Sequence, residues 1–334
     1  MTGFERLWKE METNLGERSY GLLRRRLTTE RDDGLFVGID PASGQRLFLV
    51  DLPQGIDFAN RRLPRWTEVQ VERLVLEPHP LRVRVKIALA DVRFADVFGA
   101  FAEDLYRALR SLESGPQASM ALEERLEKWN RFFREHGPEG LNEEEQRGLF
   151  GELLVLRKHV LPHLPGIKGT RTWNGPGGAD HDFQLPGGCV EAKTVGMRPA
   201  KSFHISNERQ LDESDCKSLY LYWANLELSE SGESLPHLVD EIRGMLKTDK
   251  FAADTFEQKL LMAGYLDVHA LNYRWRYRIL EEALCRVQNG FPRIINPANG
   301  ISFVRYDLAV EACRPFQVDL VRSMASLAKG GSDG

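Results

Sequence analysis

The chain has 334 residues, of which 42% are hydrophobic and 28% charged, and its formal net charge at pH 7 is −4. This composition is typical of a soluble protein with ample material for a hydrophobic core, and the length suffices for two domains. A protein that coats DNA through charge alone would be basic. Any contact with nucleic acid would therefore have to come from local basic patches.

Neither a membrane segment nor a disulfide scaffold is expected. No apolar run approaches the roughly 18 residues that a membrane helix needs, and the first ten residues lack the basic-then-apolar order of a signal peptide. The four cysteines are scattered, with no Cys-x-x-Cys pair: Cys189, Cys216, Cys285 and Cys313. We therefore expect no disulfide framework and no zinc knuckle, and we place the protein in the reducing cytoplasm.

Residues 1–115 are predicted to form a strand-rich α+β domain. The turn signal at 40–44 separates two apolar runs and predicts a hairpin. A second strand pair is predicted over 68–76 and 81–87, and a helix over 94–112. Several arginines make this region locally basic: Arg61, Arg62, Arg65, Arg73, Arg82 and Arg84. They suit a DNA-contact or partner surface, although their spacing is not specific.

Residues 116–327 form the second predicted domain, and residues 328–334 a disordered tail. A helix is predicted to begin at Asn142, with Glu145 three residues later, as in an N-terminal capping box. This helix carries Glu152 within a stretch that is otherwise apolar or glycine. A carboxylate in such surroundings is costly unless a cation or strong donors satisfy it. The alternative is a glutamate on a narrow solvated stripe.

A second group of charged residues lies in the segment 182–193, which reads Asp-Phe-Gln-Leu-Pro-Gly-Gly-Cys-Val-Glu-Ala-Lys. Its two adjacent glycines, Gly187 and Gly188, predict a two-residue hairpin turn. That turn places Asp182 opposite Lys193 and diagonal to Glu191, with all three side chains on one face. A three-residue turn would shift this register but keep the residues close.

Two carboxylates and a lysine on one face suit phosphodiester hydrolysis. Magnesium prefers oxygen ligands and can lower the pKa of a bound water. We assign Asp182 and Glu191 as metal ligands, and Glu152 as a group that reaches the metal directly or through water. Lys193 would orient the nucleophile or stabilise charge in the transition state. The alternative is a surface hairpin with a cross-strand ion pair, because Asp…Glu-x-Lys alone is a weak pattern.

Four segments occur in a fixed order: Gly-Leu-Phe-Gly-Glu152-Leu-Leu-Val-Leu, Trp173-Asn-Gly-Pro176, His181-Asp182-Phe183 and Val190-Glu191-Ala192-Lys193. Together they resemble the PD-(D/E)XK motif proteins of the restriction-endonuclease-like superfamily, in a branch found largely in bacterial defence gene clusters. The resemblance implies an α/β fold with a mixed sheet flanked by helices. It also implies Gln210 as a further polar active-site residue just after the third core strand. His181 departs from the pattern, since a proline often precedes the aspartate.

From the residues and the resemblance together we expect a Mg²⁺-dependent deoxyribonuclease, with Mn²⁺ able to substitute, acting as an endonuclease in a bacterial anti-phage or restriction-type system. Its expected partner is DNA; ATPase subunits of a defence gene cluster and a second copy of the chain are further candidates. Three residues could hold the phosphates of the cleaved strand, although a solvated face explains each equally well: Lys201, His204 and Arg209. The alternative function is that of a non-catalytic DNA-binding or scaffold subunit of a multi-protein defence complex.

Overall fold

The computed structural model describes residues 3–13, 21–29, 34–53, 63, 66–76, 82–112, 114–196, 202–295, 297–298, 300–301 and 304–331. The chain divides into two compact units, Met1–Gly140 and Leu141–Gly334. Among the described residues, no helix combines the length and the apolar character needed to cross a bilayer.

The first unit contains a five-stranded sheet in the order β1-β2-β3-β5-β4, in which every neighbouring pair is antiparallel. Its strands are β1 (Leu23–Arg26), β2 (Leu35–Ile39), β3 (Arg46–Pro53), β4 (Val69–Val75) and β5 (Arg82–Leu89). Its helices are α1 (Gly3–Thr13), α2 (Ala95–Leu109) and α3 (Gly115–Glu135). The β2–β3 hairpin and the β4–β5 pair confirm the two strand pairs that the turn signals predict.

Helix α1 departs from the strand-rich prediction. Its buried residues Phe4, Trp8 and Met11 follow one another at intervals of four and three residues, which is the spacing of an amphipathic helix. The indole of Trp8 donates a hydrogen bond to the carbonyl of Gly38 in β2 at 3.1 Å. The helix itself can therefore be read from its apolar spacing, whereas its contact with Gly38, 30 positions away, cannot.

Helix α3 extends the first unit beyond the predicted end at residue 115. Its aromatic side chains pack onto helix α2, where the rings of Trp129 and Phe101 lie 4.9 Å apart. Trp129 also donates a hydrogen bond to Asp104 Oδ2 at 2.9 Å. This buried aromatic surface packs α3 against α2, and Gly115 and Pro116 lie in the first turn of α3 and do not mark the end of the unit.

The second unit contains a mixed sheet in the order β12-β10-β9-β7-β6, in which β7 and β9 are parallel and the other neighbours antiparallel. Its strands are β6 (Phe183–Leu185), β7 (Gly188–Val195), β9 (Leu219–Ser234), β10 (Arg276–Val287) and β12 (Gln317–Val318). Strands β8 (Ser202–Ile205) and β11 (Tyr306–Ala309) form a separate antiparallel pair. The helices are α4 (Glu143–Val155), α5 (Ile167–Thr172), α6 (Leu235–Leu246), α7 (Lys250–Met262), α8 (Val310–Cys313) and α9 (Leu320–Ala328).

The mixed sheet separates two hydrophobic clusters. The first eight residues of β9 are all buried, as expected of a central strand covered on both faces. Alternate residues of β9 point to opposite sides: Tyr220 and Tyr222 join a cluster with α4 and α6, whereas Leu219 and Leu221 join a cluster with β8. The predicted α/β architecture, a mixed sheet flanked by helices, is confirmed.

The predicted capping box at the start of α4 is also confirmed. The side chain of Asn142 accepts a hydrogen bond from the backbone N–H of Glu145, and the carboxylate of Glu145 accepts one from the N–H of Asn142. This reciprocal pair fixes where α4 begins and therefore which of its residues face the sheet.

The tail prediction is wrong for residues 328–331. Ala328 is buried at the end of α9, and the N–H of Gly331 donates back to the carbonyl of Ser326 at 3.0 Å. The N–H of Gly187 donates to the carbonyl of Leu327 at 2.8 Å, so the β6–β7 turn also holds this helix end. Residues 332–334 lie outside the described part of the chain.

The expectation of cysteines without a disulfide is wrong as well. Cys189 in β7 and Cys216 form a disulfide, with their Cα atoms 5.9 Å apart. The parallel pairing of β7 and β9 places Cys189 opposite Leu219, three residues after Cys216. A separation of 27 residues gives no local signal of this contact. Cys285 and Cys313 are free and buried.

Candidate active site

The β6–β7 hairpin brings three of the predicted site residues together, in a register that differs from the prediction. Phe183 pairs with Val190 and Leu185 with Gly188, so the turn is Pro186-Gly187 and continuation of the register places Asp182 opposite Glu191. The predicted pairing of Asp182 with Lys193 is therefore wrong. The shift is two residues, and because side chains alternate with period two, the predicted shared face is retained.

Gly188 explains the position of the turn. A Cβ atom on Gly188 would lie 2.3 Å from Ser218 Oγ and 2.4 Å from the carbonyl oxygen of Ser218. This close approach of two backbones requires glycine within the strand, so Gly188 is the first residue of β7 and not part of the turn.

Asp182 is held from two sides. Its Oδ2 accepts a hydrogen bond from the backbone N–H of Ala192 at 2.8 Å. Its carbonyl oxygen accepts from the N–H groups of Asn174 at 2.6 Å and Gly175 at 3.1 Å. The Trp-Asn-Gly-Pro segment therefore lies directly against Asp182. None of these backbone N–H groups donates to the other carboxylate oxygen, Oδ1.

Glu152 is positioned by Trp173, whose role is not evident from the sequence. Trp173 is fully buried, and its indole Nε1 donates to Glu152 Oε2 at 2.7 Å. Lys259 in α7 in turn donates to the carbonyls of Thr170 at 3.0 Å and Arg171 at 3.1 Å, and also to that of Trp173. A chain of contacts therefore runs from α7 through the tryptophan to the helix-borne carboxylate.

Gly175 leaves an opening between the two acids. A Cβ atom at this position would lie 2.4 Å from Glu152 Oε2 and 2.7 Å from Asp182 Oδ1. These two oxygens therefore face the same small volume, although their residues lie on a helix and at the start of a strand. Position 175 is restricted to glycine because any side chain would enter that volume.

We expect Gly175→Ala to weaken divalent-metal binding at least about tenfold, because the added methyl group would displace one of the two carboxylates. The matched control is Gly177→Ala, since a Cβ at Gly177 meets no atom within 4 Å. Calorimetric titration with Mn²⁺ measures both variants. Equal affinities for the two variants would contradict the placement of a metal beside Gly175.

Lys193 connects the carboxylates to Gln210. Its Nζ lies 2.8 Å from Glu191 Oε1 and donates to Gln210 Oε1 at 3.1 Å. The same Gln210 oxygen accepts from the N–H of Ser206 at 2.8 Å. Gln210 lies in a short 3₁₀ helix, Glu208–Leu211, that follows β8. The structure thus places Gln210 after the third strand of this region and in contact with Lys193.

Burial raises the pKa values of the three carboxylates, and repulsion by Asp182 raises those of the two glutamates further. Burial is the main cause for each of Glu152, Asp182 and Glu191. The pKa of Glu191 rises to about 8 despite the opposing Lys193. Burial disfavours the charge on Lys193, but the charges of Glu191 and Asp182 outweigh it and raise the pKa of the ammonium group. Buried acids with raised pKa values are a common property of functional sites.

These residues fit a hard divalent cation. With all groups ionised, Glu152, Asp182, Glu191 and Lys193 together carry two more negative charges than positive ones, in a largely water-excluded region. Carboxylate oxygens are the ligands that Mg²⁺ and Mn²⁺ prefer. A cation facing the volume beside Gly175 would neutralise this excess charge and satisfy the buried oxygens.

The three candidate DNA contacts have different outcomes. Lys201 lies outside the described residues. His204 is exposed, and its Nδ1 lies 3.0 Å from Asp307 Oδ1 across the β8–β11 pair. Arg209 is exposed and lies 3.8 Å from Asp180 Oδ1. The side chains of His204 and Arg209 are therefore at the surface, and both residues lie shortly before Gln210 in the sequence.

A surface depression at the end of β7 includes a basic residue, Arg147, that no motif in the sequence indicates. It is lined by Arg147 of α4, Thr194 of β7, and Ser202 and His204 of β8, together with five further residues. Arg147 lies close to Gly196, where a Cβ atom would be 3.0 Å from its Nη1. Its spacing from Glu152 gives no signal that could have identified it, because residues five apart on an α-helix lie about 140° apart around the helix axis.

Comparison with known proteins identifies the family of the chain. The sequence profile of DUF4420, a proposed PD-(D/E)XK family, matches residues 4–311, which is nearly the whole chain. Neither a curated protein nor a solved structure matches the chain. The match spans the helix with Glu152 and the hairpin with Asp182, Glu191 and Lys193. The chain belongs to the DUF4420 family of PD-(D/E)XK-type proteins.

Proposed function

We propose that the chain is a metal-dependent nuclease that hydrolyses phosphodiester bonds of DNA. The observation that carries this proposal is the cluster of three carboxylates, one buried and two half-buried, and a lysine around the opening at Gly175. A stable fold gains nothing from unneutralised acids in its interior, whereas a metal site requires them. Family membership supports the same reading.

In this proposal Asp182 and Glu191 hold the metal, with Glu152 reaching it directly or through water. The bound metal would polarise the phosphate and lower the pKa of the attacking water. Lys193 stays protonated, because its carboxylate neighbours raise its pKa, and it stabilises the negative charge that develops on the phosphate oxygens. Gln210 fixes the direction of the Lys193 ammonium group through its 3.1 Å hydrogen bond.

The finer form of the proposal is a Mg²⁺-dependent endonuclease of a bacterial anti-phage or restriction-type system, in which Mn²⁺ can replace Mg²⁺. The motif resemblance supports that setting. Arg147 and His204, which line the depression at the end of β7, would hold the DNA backbone as it enters the site. ATPase subunits of the same gene cluster would act as partners in such a system.

A cleavage assay tests the proposal. Supercoiled, linear and single-stranded DNA are incubated with the full chain and Mg²⁺, Mn²⁺ or EDTA, beside Lys193→Ala. We expect metal-dependent cleavage that falls at least about 100-fold in the variant, because the developing charge loses its stabilising group. Lys247→Ala serves as the control, since Lys247 is exposed at the end of α6. DNA that is bound but not cut under every condition would instead favour a non-catalytic DNA-binding or scaffold subunit.

A further inference from the structure

A second cluster of metal-binding side chains lies beside the carboxylate site. The donor atoms of His181, Cys189 and Cys216 all lie within 4.8 Å of one another. The Nδ1 atom of His181 is 3.7 Å from Cys216 Sγ. His181 immediately precedes Asp182, and Cys189 lies two residues before Glu191 in β7. The two sulfur atoms are joined as a disulfide in this structure.

The three donors differ in kind from those of the carboxylate site. Imidazole nitrogen and thiolate sulfur are the ligands that zinc prefers, whereas magnesium takes oxygen. In a tetrahedral zinc site, bonds of about 2.3 Å to sulfur and about 2.0 Å to nitrogen place the two ligand atoms roughly 3.6 Å apart. The observed separation of 3.7 Å between His181 Nδ1 and Cys216 Sγ agrees with that distance between two zinc ligands.

The surroundings of the cluster leave room for a fourth ligand. Cys189 is buried in β7, which fixes one sulfur against the sheet. His181 and Cys216 are only partly buried, so one side of the cluster is open to solvent. A water molecule on that side would complete a tetrahedral set with three protein ligands.

We propose that reduction of the Cys189–Cys216 disulfide converts this cluster into a zinc site, with His181 Nδ1, two thiolates and a water molecule as ligands. A dithiol reductant supplies the two electrons: it is oxidised to its own disulfide, and its two protons pass to the cysteine sulfurs. Zinc then displaces those two protons as it binds. The disulfide and the zinc complex are alternative states of the same three residues, one favoured by oxidising and the other by reducing conditions.

Cobalt(II) spectroscopy of the reduced full chain tests the proposal without any assay of activity. The protein is freed of metal and reduced with a water-soluble phosphine, which takes oxygen from water and leaves that water's two protons on the sulfurs. We expect one equivalent of Co²⁺ to produce a sulfur-to-cobalt charge-transfer band together with intense tetrahedral bands. Added Zn²⁺ should abolish both. Cobalt bound only by Asp182 and Glu191 would show no sulfur band, so the result is independent of the nuclease proposal.

The variants identify the ligands. His181→Ala and Cys216→Ser are each expected to weaken Co²⁺ binding in the reduced chain at least about tenfold, since each removes a ligand. Cys313→Ser is the matched control, because Cys313 is a free buried cysteine outside the cluster. The oxidised wild-type chain gives a comparison that needs no substitution, and it should show no sulfur band. A reduced wild-type chain without such a band, or an undiminished band in Cys216→Ser, would overturn the proposal.

Discussion

Asp182→Ala is expected to weaken the binding of Mg²⁺ and Mn²⁺ by at least about 100-fold and to abolish cleavage of DNA. Loss of a residue that only supports a ligand typically costs 10- to 100-fold in metal affinity, so loss of a direct ligand should reach or exceed the upper value. Asp182 is the acid that the backbone fixes most firmly, through the N–H of Ala192 to its side chain and two N–H groups to its carbonyl.

Isothermal calorimetry with Mn²⁺ measures the effect, and Asp180→Ala is its control. Asp180 lies two residues earlier, is exposed and contacts Arg209 at 3.8 Å, so its substitution removes the same charge outside the site. Thermal unfolding of both variants separates loss of metal binding from loss of folding. A titration of Asp182→Ala that matches the wild type would remove Asp182 from the set of ligands.

The parts of this site that could be predicted from sequence are those that local chemistry determines. The capping box of α4 needs only Asn142 and Glu145, and it fixes the helix that carries Glu152. The Pro-Gly-Gly segment indicates a hairpin whichever two of its residues form the turn. Since the strand period is two, Asp182, Glu191 and Lys193 share a face in either register.

The remaining parts depend on contacts between distant segments. The turn begins at Pro186 because Gly188 must approach Ser218, which is a contact across 30 residues. The disulfide depends on the parallel pairing of β7 with β9, and parallel pairings carry no hairpin signal. Trp173 looks like any buried aromatic residue until its hydrogen bond to Glu152 is known. Patterns of neighbouring residues do not show which distant segments come into contact.

Glu152→Gln is expected to have opposite effects on activity and on the stability of the metal-free chain. The amide keeps the shape of the side chain and can still accept the hydrogen bond from Trp173, which the carboxylate accepts at 2.7 Å. It cannot supply the negative charge that a metal requires. We therefore expect cleavage to fall at least about 100-fold while the variant remains folded.

In EDTA the same variant should be more stable than the wild type, increasingly so as the pH rises. Burial and the charge of Asp182 raise the pKa of Glu152 well above 4.5, so the folded chain binds more protons than the unfolded chain. The stability of the wild type therefore falls with rising pH above about 4.5, by up to about 1.4 kcal/mol per pH unit from this group. The glutamine has no such dependence, and the difference between the two proteins should grow with pH until the pH exceeds the raised pKa of Glu152.

Urea unfolding at pH 5, 6.5 and 8 measures this difference, with Glu144→Gln as the control. Glu144 lies on the same helix but is exposed, so its neutralisation should shift stability by no more than a few tenths of a kcal/mol. Added Mn²⁺ should reverse the order, since the wild type gains more from the bound cation than the variant does. Equal stability of wild type and Glu152→Gln at all three pH values would mean that Glu152 is already satisfied without a metal. Such a result would leave Asp182 and Glu191 to form the metal site alone.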